Sequence, residues 1–560
     1  MRGLSPDATA DAPSPNSPGW WLCLACLALP WLNPFAHGPS SSVDPWLASA
    51  LFMAVVLAVG GAEVPRAALL FSLAAVAGWA FARTGVAADT VALAAACALI
   101  AMCAGFAGAA RGDPRQVQVI ALAWTAAAAL STLIALVQYF GVSEAFAPWF
   151  NIAAAGEAFS NLRQRNQFAS LTMIGMASLF WLRATGWGRW PVVIAMCWLA
   201  IGNAATTSRT GLTELLVLGA LAALWPGERR ERALLWVAAL AAYVVAAIAL
   251  PALLEFATGV GGNRLWERVA GADACSSRRA LWSNVLHLVA QKPWLGWGWG
   301  ELDFAHYTTL YGGPRFCDIL DNAHNLPLHL AVELGVPAAV LVCGGAVLAL
   351  VRARPWREAD ATRQMAWSVL MVLAAHSLLE YPLWYGPFQI AFGLCLGLLW
   401  PARGAQPVAP IGRLALFARV LIASCAAAAC LYAAWDYRRV SQIYLPVEAR
   451  APGMRDPLPE IRRSWLFRSQ ALFAELTIAP LTPANAQWTY DTALALLHYS
   501  PEPRVVEKVI ESAVMLGRDS DALAHLARFR AAFPEDYAEW SKDEARTLRS
   551  LRKDQVSPAR

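Results

Sequence analysis

In this chain of 560 residues, 58% are hydrophobic and 15% charged, and apolar runs repeatedly reach the roughly 16 to 20 or more residues needed to cross a hydrocarbon core. That excludes an ordinary water-soluble globule, and because the Ala/Leu/Val runs lack period-2 alternation while hydrocarbon cannot satisfy backbone amides, it predicts membrane-spanning helices rather than barrel strands. The formal net charge is only +5, and the segment 436–560 holds 18 Lys/Arg against 17 Asp/Glu, a balance that argues against a nucleic-acid partner or an anionic-lipid patch.

In chain order, the Pro/Ser/Asp-rich residues 1–18 are expected to be disordered. The apolar run that follows has no small-residue cleavage site and contains Pro30, so it reads as a retained span and not a signal peptide. Spans are expected near 19–36, 46–60, 66–82, 90–109, 117–140, 167–182, 190–205, 211–226, 233–252, 325–350, 366–384, 386–400 and 412–435, about thirteen in all. The segment Glu380-Tyr-Pro-Leu-Trp-Tyr-Gly386 reads as a tight external turn or a re-entrant break.

Arginine sets the orientation, since basic short loops stay in the cytoplasm. With the N-terminus inside, the inner loops carry Arg66, Arg111, Arg115, Arg183, Arg189, Arg229, Arg230, Arg232, Arg352, Arg354, Arg357, Arg363, Arg403 and Arg413, and the short outer loops only Arg83, Arg163, Arg165 and Arg209. Two long segments then fall outside: the loop 253–324 and the tail 436–560. In the tail, Asn485–Leu497, Arg504–Leu516 and Asp519–Phe533 have helical spacing, the last two joined at Gly517. This predicts a small helical domain on the outer face, with no sustained repeat. The domains are therefore 1–18, a transmembrane unit 19–435, and 436–560.

Most of the eleven cysteines lie inside spans, and Cys23 and Cys26 read as buried small hydrophobes. Cys275 and Cys317 share the long outer loop, where an oxidising compartment would make them a natural disulfide pair, stabilising by about 3–4 kcal/mol in the chain-entropy model. Such a bond would tether Arg278 to the segment leading into His324.

Polar chemistry gathers on the same face. Gln164-Arg165-Asn166-Gln167 precedes the sixth span, Thr207-Ser208-Arg209-Thr210-Gly211 the eighth, and Ser277-Arg278-Arg279 lies in the long loop. Arginine's planar fork suits phosphate oxygens, and several such groups near a membrane surface suit a lipid-linked pyrophosphate; the plainer alternative is that each snorkels to the interface or caps a helix. His324 heads Asp321-Asn-Ala-His-Asn325 at the mouth of the tenth span, where an imidazole can act as general base, with Asp321 or Asn325 able to orient or merely satisfy it. Glu333, His37, and His376 with Glu380 read as structural. Gly296-Trp-Gly298-Trp-Gly300 lacks the Lys-Ser/Thr of a nucleotide loop and reads as a tight turn under tryptophans.

In combination, His324-Asn325-x-x-Leu328 with Glu333-x-Gly335, Ser208-Arg209-x-Gly211, Arg278-x-x-x-Trp282, and Pro293-x-x-Gly296-x-Gly298-x-Gly300 resemble the bacterial O-antigen ligase/polymerase superfamily. Gln164-x-Asn166-x-Phe168-Ala169 and Glu380-Tyr-Pro382-Leu-Trp384-Tyr385 resemble its protein O-oligosaccharyltransferases of the PglL type. The resemblance spans roughly residues 20–400, and Arg165 departs from the small residue or proline of several relatives. It implies an all-α polytopic membrane protein with GT-C-like glycosyltransferase architecture in the bacterial inner membrane, acting on the periplasmic face without metal or cofactor. Its donor would be undecaprenyl-pyrophosphate-linked glycan and its acceptor Ser/Thr of exported, pilin-like proteins. Arg209 and Arg278 would hold the pyrophosphate, with Arg165 a further donor contact, and His324 would activate the acceptor hydroxyl, supported by Asp321, Asn325, Gln164, Asn166 and Glu380. The same residues would serve an O-antigen ligase or polymerase with a sugar acceptor. A lipid-linked glycan transporter would instead carry charges near mid-membrane and paired broken helices.

Overall fold

The computed structural model describes residues 17–83, 87–261, 275, 277–400 and 413–542. Expectations for residues 1–16, for 262–274 and 276 of the long loop, for 401–412 with Arg403, and for 543–560 lie outside the described residues. The described residues are helices and loops throughout.

Nine helices come first: α1 (Pro18–Leu32), α2 (Val43–Gly60), α3 (Ala67–Arg83), α4 (Ala87–Ala110), α5 (Pro114–Tyr139), α6 (Arg165–Ala184), α7 (Arg189–Ala205), α8 (Arg209–Leu224) and α9 (Arg229–Thr258). The long loop carries α10 (Arg278–Gln291) and α11 (Leu302–Thr308). Then follow α12 (Leu326–Leu334), α13 (Val336–Ala353), α14 (Ala361–Ser377), α15 (Gly386–Leu398) and α16 (Arg413–Ser441). The chain ends in α17 (Leu458–Ile461), α18 (Arg468–Ile478), α19 (Ala486–Leu496), α20 (Pro503–Met515) and α21 (Asp519–Ala532).

Every expected span overlaps one of these helices or, in one case, two. Among the described residues six helices (α2, α4, α5, α9, α13 and α16) are long and apolar enough to cross a membrane, and α1, α3, α7 and α15 are shorter apolar helices. The chain is a multi-pass membrane protein. Helices α5 and α6 form its centre: Trp124, Phe168, Met173 and Ile174 are fully buried, whereas α13 leaves Val340, Leu341 and Val347 exposed, as a lipid-facing helix does.

The tenth expected span departs from a single helix. Gly335 divides it into α12 and α13 at φ +92°, and its freed backbone groups are recaptured by the glycine-rich loop. Trp297 N–H donates to Val332 O at 2.8 Å, Gly298 N–H to Glu333 O at 3.0 Å, and Val336 N–H to Pro293 O at 2.8 Å. A broken helix is tolerated in a membrane protein when its loose ends find such partners. Close approach explains the glycines: a Cβ on Gly296 would lie 2.3 Å from Glu333 O, and one on Gly335 2.3 Å from Trp294 O.

The tail is anchored at both ends. Tyr437 near the end of α16 bonds Ser40 O at 2.9 Å, and the buried Asp436 accepts from Ser464 at 2.8 Å. Helices α18 to α21 enclose Val505, Val506, Val509 and Phe529, and Tyr307 of α11 joins the same cluster. The long loop meets this unit through His498 Nδ1 to Glu301 Oε2 at 2.6 Å, a Phe304–His498 stack at 3.8 Å, and Tyr307 Oη to His525 Nδ1 at 2.9 Å.

Two measurements test this architecture. Gly335→Ala should destabilise the protein by about 1–3 kcal/mol from backbone strain alone, read as a lower unfolding temperature in detergent. Burial and the nearby Arg528 charge push the His525 imidazole down to about 4 from its ordinary 6.5, and burial with Arg315 pushes His306 in the loop to about 3. An imidazole held neutral when folded stabilises above its unfolded pKa and loses that contribution as pH falls. Amide protection factors in α11 and α21, which correct for the intrinsic slowing of exchange in acid, should therefore fall as pH drops from 7 towards 4.

Candidate active site

Four helices begin at one end of the bundle, and each opens with a polar cap followed or preceded by a chemically competent residue. Gln164 caps α6 by accepting from Gln167 N–H at 3.2 Å, Ser208 caps α8 from Gly211 N–H at 3.0 Å, Ser277 caps α10 from Ala280 N–H at 3.3 Å, and Asn325 caps α12 from Leu328 N–H at 3.1 Å. Such caps satisfy the free amides of a first turn. Arg165, Arg209 and Arg278 each occupy the first helical position, and His324 directly precedes the fourth cap. A cation at a helix N-terminus sits at the unfavourable pole of the macrodipole, so three arginines there are not explained by helix stability.

Glu380 ties these ends together. Its backbone N–H donates to His376 O at 2.8 Å just past α14, which aims the carboxylate at the helix starts. One oxygen pairs with Arg278 and accepts from Asn166 Nδ2 at 3.2 Å; the other meets His324 Nδ1 at 2.6 Å. Asn166 in turn accepts from Ser208 Oγ at 2.7 Å. One buried carboxylate thus joins α6, α8, α10 and the loop before α12.

The electrostatics fix a tautomer. Burial alone would push the Glu380 carboxyl up, but the hydrogen bond from His324 and the positive charges of Arg278, His324 and His376 outweigh it, and the group lies below the ordinary carboxylate range. An ionised carboxylate only accepts, so Nδ1 of His324 donates, and in the neutral form of the ring the lone pair falls on Nε2. The ring is held edge-on to Tyr381 at 4.9 Å. His324 itself has φ +49°, and Asn322 Oδ1 accepts from its backbone N–H at 2.9 Å. An imidazole poised this way, a quarter exposed, can take a proton from a hydroxyl.

The other expected residues fall into place differently. Asp321 lies exposed, and the partner of the His324 ring is Glu380 rather than Asp321. Asn325 also donates to Leu378 O at 3.0 Å, bracing the His324 loop against the turn that carries Glu380. The Arg209 guanidinium is exposed and makes no ion pair among the described residues. Arg165 pairs with Glu157 at 2.6 Å, away from the carboxylate that organises the others. Cys275 and Cys317 are disulfide-bonded, with Cα atoms 5.4 Å apart. Sequence reasoning missed Ser208 as a bridge, although a polar residue followed by arginine at three helix starts was a visible signal.

Parts of the chain match known protein families. Residues 192–343 match the family model for O-antigen ligase, residues 158–182 that for a protein glycosylation ligase, and residues 364–547 that for the C-terminal part of a virulence factor membrane-bound polymerase. Two curated proteins of Acinetobacter baylyi are similar. A general O-oligosaccharyltransferase is 24% identical over 283 residues, covering 49% of each chain, and a ComP-specific O-oligosaccharyltransferase is 26% identical over 293 residues, covering 51% of this chain and 52% of its own. The aligned stretch thus spans about half the length of these relatives.

These matches make the chain similar to membrane proteins of the O-antigen ligase and polymerase kind. Among them, the similarity extends to a protein glycosylation ligase and to O-oligosaccharyltransferases.

Ser208→Ala removes a helix cap and the bond to Asn166 together. It should lower stability by about 1–2 kcal/mol, measurable as an earlier thermal transition in detergent.

Proposed function

We propose that the protein transfers oligosaccharide from undecaprenyl pyrophosphate to serine or threonine hydroxyls of exported proteins such as pilins. In this reading the chain crosses the bacterial inner membrane about thirteen times, with helix starts α6, α8, α10 and α12 and the helical domain 436–560 facing the periplasm. The observation that carries it is the Glu380 carboxylate gripping His324 Nδ1 and Arg278 at the meeting point of four helix N-termini.

The acceptor hydroxyl attacks the anomeric carbon while its proton passes to His324 Nε2. The bond from that carbon to the pyrophosphate oxygen breaks, and the leaving pyrophosphate keeps the electron pair. Glu380 stabilises the imidazolium formed. Arg209 and Arg278, assisted by amide groups of the helix starts, meet charge that grows on the departing oxygens. Arg278 is held ready by Glu380, whereas Arg209 is free to reach the donor. Arg165, paired with Glu157, contributes less.

A second reading keeps the donor and changes the acceptor to a sugar, and the matches to O-antigen ligase and polymerase models support it. Deleting the gene and comparing intact masses of pilin-like proteins with the lipopolysaccharide separates the two: sugar lost from protein alone supports the first, from lipopolysaccharide alone the second.

With purified lipid-linked donor and acceptor, His324→Ala should cut transfer by about 100-fold or more while the protein stays inserted and abundant. Arg209→Lys and Arg278→Lys should also fail, because a point charge does not replace the planar fork. Wild-type rates in a folded His324→Ala protein would remove the base assignment, and wild-type rates in both lysine variants the pyrophosphate clamp.

A further inference from the structure

One helical turn deeper than the Asn166–Ser208–Glu380 junction, the same three helices meet again through polar side chains. Ser170 of α6 is four residues past Asn166, His376 of α14 four residues before Glu380, and Glu214 of α8 six residues past Ser208. Ser170 Oγ lies 2.6 Å from Glu214 Oε1 and 2.7 Å from His376 Nδ1, and the carboxylate and ring stand 3.8 Å apart. All three are fully buried. Glu214 Oε2 and His376 Nε2 have no hydrogen-bond partner among the described residues. Ionisable groups buried in a membrane bundle are costly and by default functional.

Hydrogen counting restricts what this cluster can be. Ser170 has one hydroxyl hydrogen for two short contacts. Either it donates to an ionised Glu214 and accepts from His376 Nδ1–H, or a protonated Glu214 donates to it and it donates to Nδ1. With His376 as imidazolium, the two arrangements differ only in that the Nδ1 proton moves to the serine oxygen as the serine proton moves to Oε1. Carboxylate and imidazolium become carboxylic acid and neutral imidazole, with no change in total charge and no heavy atom displaced.

We propose that Ser170, Glu214 and His376 form a proton-sharing layer that positions the Glu380 carboxylate and sets, through the charge on His376, how tightly Glu380 holds His324. This rests on the role of His324 as base. These are positioning residues, since none touches the substrate in that mechanism. The groups around the layer are Asn166 on α6, bonded to Glu380, Glu380 itself beyond α14, and Phe388 on α15, whose ring packs edge-on to His376 at 5.7 Å. Glu380 is the one that carries the signal outward. When Glu214 is ionised, His376 keeps its proton and shares the pull on Glu380. When Glu214 is protonated or replaced by an amide, His376 is neutral, Glu380 binds the His324 proton more firmly, and the base needs a higher pH to be free.

The test reads His324 without relying on turnover. Diethyl pyrocarbonate modifies neutral imidazole, and peptide mapping of the full-length protein in detergent gives the rate at His324 as a function of pH. Glu214→Gln and Ser170→Ala should move the midpoint upward by about half a pH unit or more, Ser170→Thr should restore it, and the acid limb of the transfer profile should move with it. An infrared carboxylic-acid band that shifts in D2O and disappears in Glu214→Gln would report the shared proton. An unchanged His324 midpoint in folded Glu214→Gln and Ser170→Ala protein overturns the proposal, including when transfer falls, because that result describes a purely structural pin. If His324→Ala kept normal transfer, the mechanism above would fail while the modification midpoint still decided the layer.

Discussion

Everything at the functional end depends on one carboxylate being compensated. Glu380 is almost wholly buried, and an isolated charge there would cost several kcal/mol. It is kept ionised by Arg278 on one oxygen and His324 on the other, with Asn166 completing its hydrogen bonds. The interaction is reciprocal: the carboxylate brings together an arginine from a long loop and a histidine from another element. Removing it would leave both side chains without their shared partner.

The helices at the apolar runs were legible because apolar run length is a local property, and six of them are long and apolar enough to cross a membrane. The helices of the tail were legible for a related reason, their periodic apolar faces. The break at Gly335 was not, since Leu334-Gly-Val-Pro337 continues an apolar run, and only the carbonyls captured by Trp297 and Gly298 reveal that the helix stops. The glycines that make this capture possible were visible, and so was their role as a tight turn.

The site was legible in composition and only partly in connection. His324, Arg209 and Arg278 could be picked out as competent residues near one membrane face. The partner of His324 could not, because Asp321 lies three residues away in sequence whereas Glu380 lies fifty-six, and proximity along a chain is a poor guide to contact across helices. Arg165 has the same chemistry and pairs with Glu157, eight residues before it. Ser208 caps α8 and also links it to Asn166.

The cross-link between Cys275 and Cys317 has a further implication for when this centre can exist. Arg278 lies three residues inside the closed loop and His324 seven residues past its far end, so the staple shortens the covalent path between the two side chains that share Glu380. Thiols in a reducing compartment stay open. With the loop on the outer face, as proposed, the staple would form only after translocation, which would couple maturation of the centre to arrival on an oxidising side of the bilayer.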